Sequence, residues 1–246
     1  MRANRRTFLK TAAALPAAAQ AQPGSGAVAG VIDWPRVFRG PALQTIAMPL
    51  GGIAAGSISR GGGGQLRDWE IFNRPDKGNQ PAYAFAAIRA EPRGKRPLLR
   101  VAESRLLPPY EGASGLGTSN APGLPRLAGA TFTSMYPMAR IDFQDSRLPV
   151  RLALEAFTPI FPLDAEESGL PAALLRYVVS NPGSMPVNVS LCFSIENPFR
   201  AAAAADAARP PADARQNEPK RDVQLAGLVM TNPGLDPKDP AAGEFV

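Results

Sequence analysis

The sequence predicts an all-β fold, an antiparallel β-sandwich, and three observations lead there. Apolar residues recur with period two through the second half of the chain, as strands require. The 246 residues include 27 prolines and 23 glycines, which interrupt long elements and favour short strands joined by turns. No amphipathic helical stretch separates the strand-like runs, so the sheets should be antiparallel and packed face to face.

The chain begins with a segment that stands outside this pattern. Asn4-Arg5-Arg6-Thr7-Phe8-Leu9-Lys10 is a twin-arginine signature, followed by a mildly apolar run, Thr11 to Ala19. Ala19-Gln20-Ala21 fits a small-residue cleavage site. Residues 1–21 are therefore expected to be a twin-arginine signal peptide in which Arg5 and Arg6 are the signal residues. The expected destination is periplasmic or extracellular. No cysteine follows the run to carry a lipid, and no other segment approaches about 18 unbroken apolar residues, so membrane contact is expected only through this leader. Residues 22–45 read as a linker and N-terminal extension, and residues 46–246 as the sandwich domain.

Within that domain the strand signals come in order. Tyr83 to Ala90 reads as a strand, turned by Glu91-Pro92-Arg93-Gly94, with Leu98 to Val101 returning. Leu107 to Leu127, rich in Pro, Gly and Ser, reads as a long loop. Phe132 to Phe143 reads as one strand whose apolar phase slips at Tyr136-Pro137-Met138, which a bulge at Pro137 would explain. Val150, Leu152 and Leu154 alternate with Arg151 and Glu155 as in a half-buried strand. Leu174 to Val179, almost wholly apolar, reads as a central strand covered on both faces. After the turn Asn181-Pro182-Gly183, residues Val187, Val189, Leu191, Phe193 and Ile195 share one face. A one-residue slip would expose all five, at about 1.5–3 kcal/mol for each large side chain, so the register is fixed. Arg200 to Glu218 reads as a short helix or flexible insert, broken by Pro210 and Pro211, and Val223 to Thr231 as a further strand. Gly243-Glu244-Phe245-Val246 reads as a strand cut off before it can pair, and hence as a fragment or truncated gene model.

Charge and composition exclude several chemistries. The net charge of +6 comes largely from Arg2, Arg5, Arg6 and Lys10 of the leader; the remainder holds 23 basic against 21 acidic residues. That near balance offers no basic stripe, so nucleic acid is not an expected partner. With no histidine and one cysteine, Cys192, the chain cannot build a Ser-His-Asp or Cys-His centre, a His-ligated zinc site, a CxxC redox pair or an internal disulfide. Neither a cofactor nor a metal is expected.

Few residues remain as candidates for chemistry. The glycine-rich stretch Gly51 to Gly64 lacks both GxGxxG spacing and a Gly-Lys-Ser/Thr, so its glycines more readily serve tight turns and close backbone approach. Asp68 and Glu70 would share one face of a strand, as a glycoside-hydrolysing carboxylate pair might be sought. Retaining enzymes, however, need the two carboxyls about 5 Å apart on either side of the bond, usually from different elements. The residues favour a solvated edge strand with Arg67 and Arg74 as counter-charges. Trp69, flanked by Ile71 and Phe72, reads as core rather than a sugar platform. Asp164, Glu166 and Glu167 fit an acidic surface loop better than a calcium loop.

Several segments together resemble the N-terminal domain of glycoside hydrolase family 116, which includes non-lysosomal glucosylceramidases (bile-acid β-glucosidases) and bacterial β-glucosidases. Met48-Pro49-Leu50-Gly51-Gly52-Ile53-Ala54-Ala55-Gly56-Ser57-Ile58 is similar to that family's P-L-G-G-I-G-x-G-x-I opening, with Ala54 where glycine is usual. Leu66 to Pro75 resembles its R-x-W-x-I/L segment. Ala139-Arg140-Ile141 with Leu154 to Pro162 resembles a strand ending in its S/T-P-x-x-P turn. Glu167 to Ala173 resembles S-x-L-P-V-A, and Val179 to Ser190 resembles N-x-G-x-x-P-V-D-V-S. The resemblance spans roughly residues 46 to 200.

It implies a supersandwich-like domain packed on a C-terminal (α/α)6 barrel, and this chain is expected to end before that barrel. The family's catalytic glutamate and aspartate lie in the barrel and match no position here. No residue is therefore assigned as catalytic, and the chain alone should be inactive. Its expected partner is the catalytic domain, normally in the same chain, with a glucoside reached through it. Asp68, Trp69, Glu70, Asn73 and Arg74 are the candidates for a rim of the substrate entrance. The alternative is a stand-alone exported carbohydrate-binding or interaction module.

Overall fold

How the alternating runs pair decides the architecture. The computed structural model describes residues 34–72, 75–78, 83–107, 123–199, 214–221, 226–242 and 244–245. The leader, Asn73, Arg74, most of the loop expected at Leu107 to Leu127 and the alanine-rich 200–213 lie outside the described residues.

A five-stranded sheet has the order β1 (Arg36–Arg39), β8 (Gly129–Met135), β9 (Met138–Gln144), β10 (Arg151–Phe157) and β11 (Leu174–Ser180). A four-stranded sheet has the order β12 (Val187–Ser194), β5 (Phe85–Pro92), β6 (Leu98–Ser104) and β7 (Arg126–Leu127). Two three-stranded sheets complete it: β2 (Ala47–Leu50), β3 (Ser57–Gly61) and β4 (Leu66–Glu70), then β13 (Gln216–Arg221), β14 (Ala226–Thr231) and β15 (Glu244–Phe245). Every pairing is antiparallel except β6 with β7. This is the predicted all-β, sandwich-type fold. Among the described residues no helix is long and apolar enough to cross a membrane.

Alternation within the strands places the core. Phe132, Ile141 and Leu154 of the five-stranded sheet bury against Leu50 and Met48 of β2. Leu152, further along β10, buries against Ile88, Ala102 and Leu127 of the four-stranded sheet. The five-stranded sheet is thus one layer, and the β2–β4 and four-stranded sheets together form the other. Phe143 and Tyr177 pack against both clusters and join them. A third cluster of Ile58, Leu66, Trp69 and Ala84, flanked by Ile195, ties the β2–β4 sheet to the ends of β5 and β12.

The turn between β3 and β4 shows why its glycines are needed. Gly63 accepts a 2.8 Å hydrogen bond from Ser104 N on β6. Gly64 has φ +99°, and a Cβ there would lie 3.0 Å from the Phe143 ring and 3.1 Å from Ala102 O. Close backbone approach, not phosphate binding, accounts for the glycines.

Six details differ from the sequence reading. The phase slip at Tyr136-Pro137 is not a bulge but a two-residue hairpin loop, since Met135 pairs with Met138 and the chain reverses. Leu174 to Val179 is not a central strand: β11 is the outermost strand of its sheet, and Leu174 is 39% exposed. The five apolar residues after Pro186 do share a face, but Leu191 and Phe193 are 42% and 47% exposed because β12 too is an edge strand. Gln216 to Glu218, expected in a helix or insert, belong to β13, and Arg36–Arg39, expected in the linker, form β1. Glu244 and Phe245 do pair, with Thr231 and Met230 of β14.

Gly64→Ala should therefore lower stability by about 2–4 kcal/mol, combining an unfavourable φ with a clash. Gly94→Ala, where φ is also positive (+75°) but nothing lies within 4 Å of the new Cβ, should cost only about 1 kcal/mol. Urea midpoints followed by tryptophan fluorescence measure both; equal losses would mean that the packing at Gly64 is looser than described.

Candidate functional site

Loops distant in the sequence meet at one end of the sandwich, and small polar side chains lock them together. Between β2 and β3, Gly51 N donates to the buried Thr158 Oγ1 at 2.8 Å, and Ile53 N donates to Ser168 O at 2.8 Å. A Cβ on Gly52 would lie 2.4 Å from Leu170 O, so only glycine permits this approach. Ser168, itself 1% exposed, accepts from Phe161 N at 2.9 Å and donates to Phe161 O at 3.0 Å. It closes the one-turn helix α1 (Ala165–Ser168), which Asp164 caps by accepting from Glu167 N at 3.0 Å. Asp164 thus has a structural task in the acidic loop. Ala54 sits at φ +62°, a conformation that costs a residue with a Cβ about 1 kcal/mol relative to glycine.

These loops border a cleft of about 510 Å³. Its walls are the backbone of Gly51, Ala55 and Gly56, the side chains of Ile71 and Phe72 beyond β4, Pro171 to Ala173, and Phe199. The Phe72 and Phe199 rings lie 5.5 Å apart, tilted. Phe199 is positioned by Asn197, whose side-chain amide donates to Gln216 O, Asn217 Oδ1 and Thr231 O at 2.9–3.0 Å. Its oxygen accepts from Phe199 N at 3.0 Å. A single buried asparagine thereby fixes both the β13–β15 sheet and the cleft wall. The sequence reading missed this use of Asn197, although Asn197-Pro198 is a turn signal. Among the described residues no charged side chain lines the cleft. The described lining offers shape and apolar surface.

The candidate rim residues on β4 divide. Trp69 is 4% exposed and belongs to the core, as its neighbours suggested. Asp68 is 3% exposed at φ +52°, in an irregularity of the β3–β4 pairing. The strand is an edge strand, but the expected solvation is absent: Arg67 is 7% exposed and lies 3.5 Å from Asp68. Burial is the reason, because Leu66 and Trp69 draw the whole strand into the third cluster. Glu70 is half-buried. Both acids hold the same turn, Asp68 accepting from Gly78 N at 2.7 Å and Glu70 pairing with Lys77. Asn73 and Arg74 lie outside the described residues.

Electrostatics follow from these partners. Burial alone pushes the Asp68 pKa up, but the Gly78 N–H, the Arg67 guanidinium, the Ser59 hydroxyl and Lys77 outweigh it and hold the carboxyl below its ordinary range. That suits a permanently ionised clamp and opposes use as a general acid, which needs a raised pKa. Glu103 shows the converse. Burial raises its pKa despite Arg126 at 3.1 Å and the nearby charge of Arg60. It lies inside the sandwich, 2% exposed, with Oε1 lacking a partner among the described residues. Arg60, 1% exposed, donates from Nη1 to Gly64 O while Nε and Nη2 have no such partner. This buried group of charges was not legible in the sequence, which gives no sign that Arg60 is buried.

With this geometry in place, comparison with known families gives one result. A family model described as beta-glucosidase 2, glycosyl-hydrolase family 116 N-term, matches residues 47–246. The matched span contains the cleft and all the loops around it.

Because the folded pKa of Asp68 lies below the unfolded one, its stabilisation is complete above the unfolded pKa and is lost as pH falls through the folded value. Asp68→Asn should thus cost roughly 1–3 kcal/mol near neutral pH and flatten the loss of stability on acidification below the ordinary carboxylate range. Urea midpoints across that range test this; an acid limb identical to that of the parent would rule Asp68 out as its source.

Proposed function

The chain belongs to the family of N-terminal domains of family 116 glycosyl hydrolases, and on that basis we propose that it is the non-catalytic N-terminal domain of an exported β-glucosidase- or glucosylceramidase-like enzyme. In this role it supports a catalytic (α/α)6 domain and shapes the approach of a glucoside to it. The observation that carries the proposal is where the family-like segments go. Their loop portions, Gly51 to Gly56, Ile71–Phe72, Thr158 to Pro162 and Ser168 to Ala173, gather at one loop end around a cleft, while strand portions such as Leu50, Trp69, Ile141 and Leu154 lie in the core. Asp68 and Glu70 contribute to a rim indirectly, by fixing the Pro75–Gly78 turn.

Hydrolysis of a chromogenic β-glucoside tests this reading. The purified chain is expected to show no turnover; robust turnover by the chain alone would overturn the non-catalytic assignment. The cleft favours a second reading, a stand-alone carbohydrate-binding module, because its size and two phenyl rings suit a small ligand. Isothermal titration with glucosides separates the two: saturable binding that Phe199→Ala abolishes would favour the module.

Export by the twin-arginine route is part of the proposal and is supported by Arg5 and Arg6 ahead of a weakly apolar run. Replacing both by lysine should leave the precursor in the cytoplasm of a host with this pathway. Unchanged appearance of the protein in the periplasm or medium would remove this part.

A further inference from the structure

The excess of basic charge outside the leader is small, but it is not spread evenly. Three connections meet at the end of the sandwich opposite the cleft: the β5–β6 turn, the β9–β10 turn and the β11–β12 link. β10 leads from this end, at Arg151, to the cleft end, at Phe157. Arg93 N bonds Pro186 O at 3.2 Å, which ties the first connection to the third. Arg100 Nε on β6 bonds Asp145 Oδ2 at 2.9 Å, which ties in the second. Val150 packs beneath them in one cluster with Ala90 and Val187. On this fixed base Arg93, Lys95, Arg96, Arg147 and Arg151 are all exposed.

The acids at this end do not neutralise them. Glu91 is taken by Arg89 at 2.8 Å. Asp145, its side chain 2% exposed, lies between Arg100 at 2.9 Å and Arg147 at 3.6 Å, so one positive charge of that trio is left over. Among the described residues none of Arg93, Lys95, Arg96 and Arg151 is in an ion pair. Five positive charges therefore stand together without compensation. The exposed acids Asp164, Glu166 and Glu167 lie at the other end, about 20 Å away along β10 and beyond the roughly 8–10 Å over which charges stay coupled in physiological salt. Near balance over the whole chain conceals this segregation.

A plane of phosphates fits this surface better than a soluble polyanion. The cations sit at turns, and Met185, 57% exposed, stands with them on a turn that Asn181 Nδ2 braces by donating to Met185 O at 2.7 Å. A basic cluster with an apolar side chain in it suits an anionic membrane, where cations reach headgroups and the apolar group enters the acyl boundary. The three connections carry no aromatic residue on which a base would stack. Independently of the function proposed above, we infer that this turn end docks the chain on the surface of an anionic phospholipid bilayer. Arg93, Lys95, Arg96, Arg147 and Arg151 meet lipid phosphates, and Met185 enters the boundary between headgroups and acyl chains.

Co-sedimentation of the full chain with vesicles tests the surface. Vesicles of equal parts phosphatidylcholine and phosphatidylglycerol should bind it, less so as salt rises, and vesicles of phosphatidylcholine alone should not. Arg93→Gln, Lys95→Gln and Arg96→Gln together should weaken binding about tenfold or more. Met185→Ser should weaken it about threefold or more. Glu166→Gln with Glu167→Gln, which raises the net charge at the other end, should change it by less than about twofold. Urea midpoints matching the parent's confirm that each variant folds. Absent vesicle binding would overturn the inference. Binding that the triple variant leaves intact would assign it to the leader and overturn the surface. A gain from the glutamate variants as large as the loss from the triple variant would reduce the effect to net charge. Release by inorganic phosphate at constant ionic strength would replace the bilayer with a single-phosphate site. Retention on a DNA duplex or on polygalacturonate, without vesicle binding, would replace it with a soluble polyanion.

Discussion

The turn Gly61–Gly64 lies against β6 and the ring of Phe143, in a space that backbone fits and a side chain does not. Its position constrains both layers of the sandwich. Ser104 N bonds Gly63 O, which binds the β2–β4 sheet to the four-stranded sheet. Arg60, one residue before the turn, enters the interior and returns a hydrogen bond to Gly64 O. Burial lowers the Arg60 pKa, against the pull of Tyr177 and Glu103. The buried Glu103 carboxylate pairs with Arg126 and feels the charge of Arg60 without a hydrogen bond to it. Such arrangements seldom add net stability, because removing ions from water costs more than their attraction returns. The cluster instead discriminates between registers: sliding β3 by one residue would turn Arg60 to the opposite face, away from Glu103.

That pinned sheet explains why Asp68 and Trp69 are not surface residues. With β3 fixed, β4 must lie where Leu66 and Trp69 reach Ala84 and Ile195. The irregular pairing between Ser57 and Ser59 then rotates Asp68 inward, toward Arg67, Ser59 and the Pro75–Gly78 turn. A carboxylate that would be a plausible reagent on an open strand becomes a clamp. The same sheet carries Gly51 to Gly56 to the β10–β11 connection, where Thr158 and Ser168 complete the loop end. Core and candidate site are thus one construction.

Much of this was legible because local patterns report local geometry. Leu152 and Leu154 alternate against Arg151 and Glu155, and β10 follows. The glycine run lacked phosphate-loop spacing, and close approach is what it serves. What the pattern could not report was the neighbour across each edge. Leu174 to Val179 is apolar whether or not a strand lies beyond it, so β11 read as central when it is outermost. Leu191 and Phe193 follow the same logic. At Tyr136-Pro137 the change of apolar phase was seen, but a bulge and a two-residue reversal shift phase alike; only the Met135–Met138 pairing separates them. Arg60 and Glu103 are 43 positions apart in the chain, and nothing near either residue announces that each feels the other's charge in the interior.

The cleft-bearing loop end is held rigid where its loops touch one another. Ordering a loop on binding costs about 1–2 kcal/mol per residue of backbone, so a loop end already held by Thr158, Ser168 and the Asp164 cap spares an association that cost. The small residues at Gly51, Gly52 and Gly56 let the loops lie against one another. Sites built on fixed supports hold reacting groups more closely than sites on mobile ones. The amide of Asn197 extends this to the cleft wall by holding Phe199 in place, and the acids on β4 hold the Pro75–Gly78 turn. Thr158, Ser168, Asp164 and Asn197 are thus committed to holding apolar surface still.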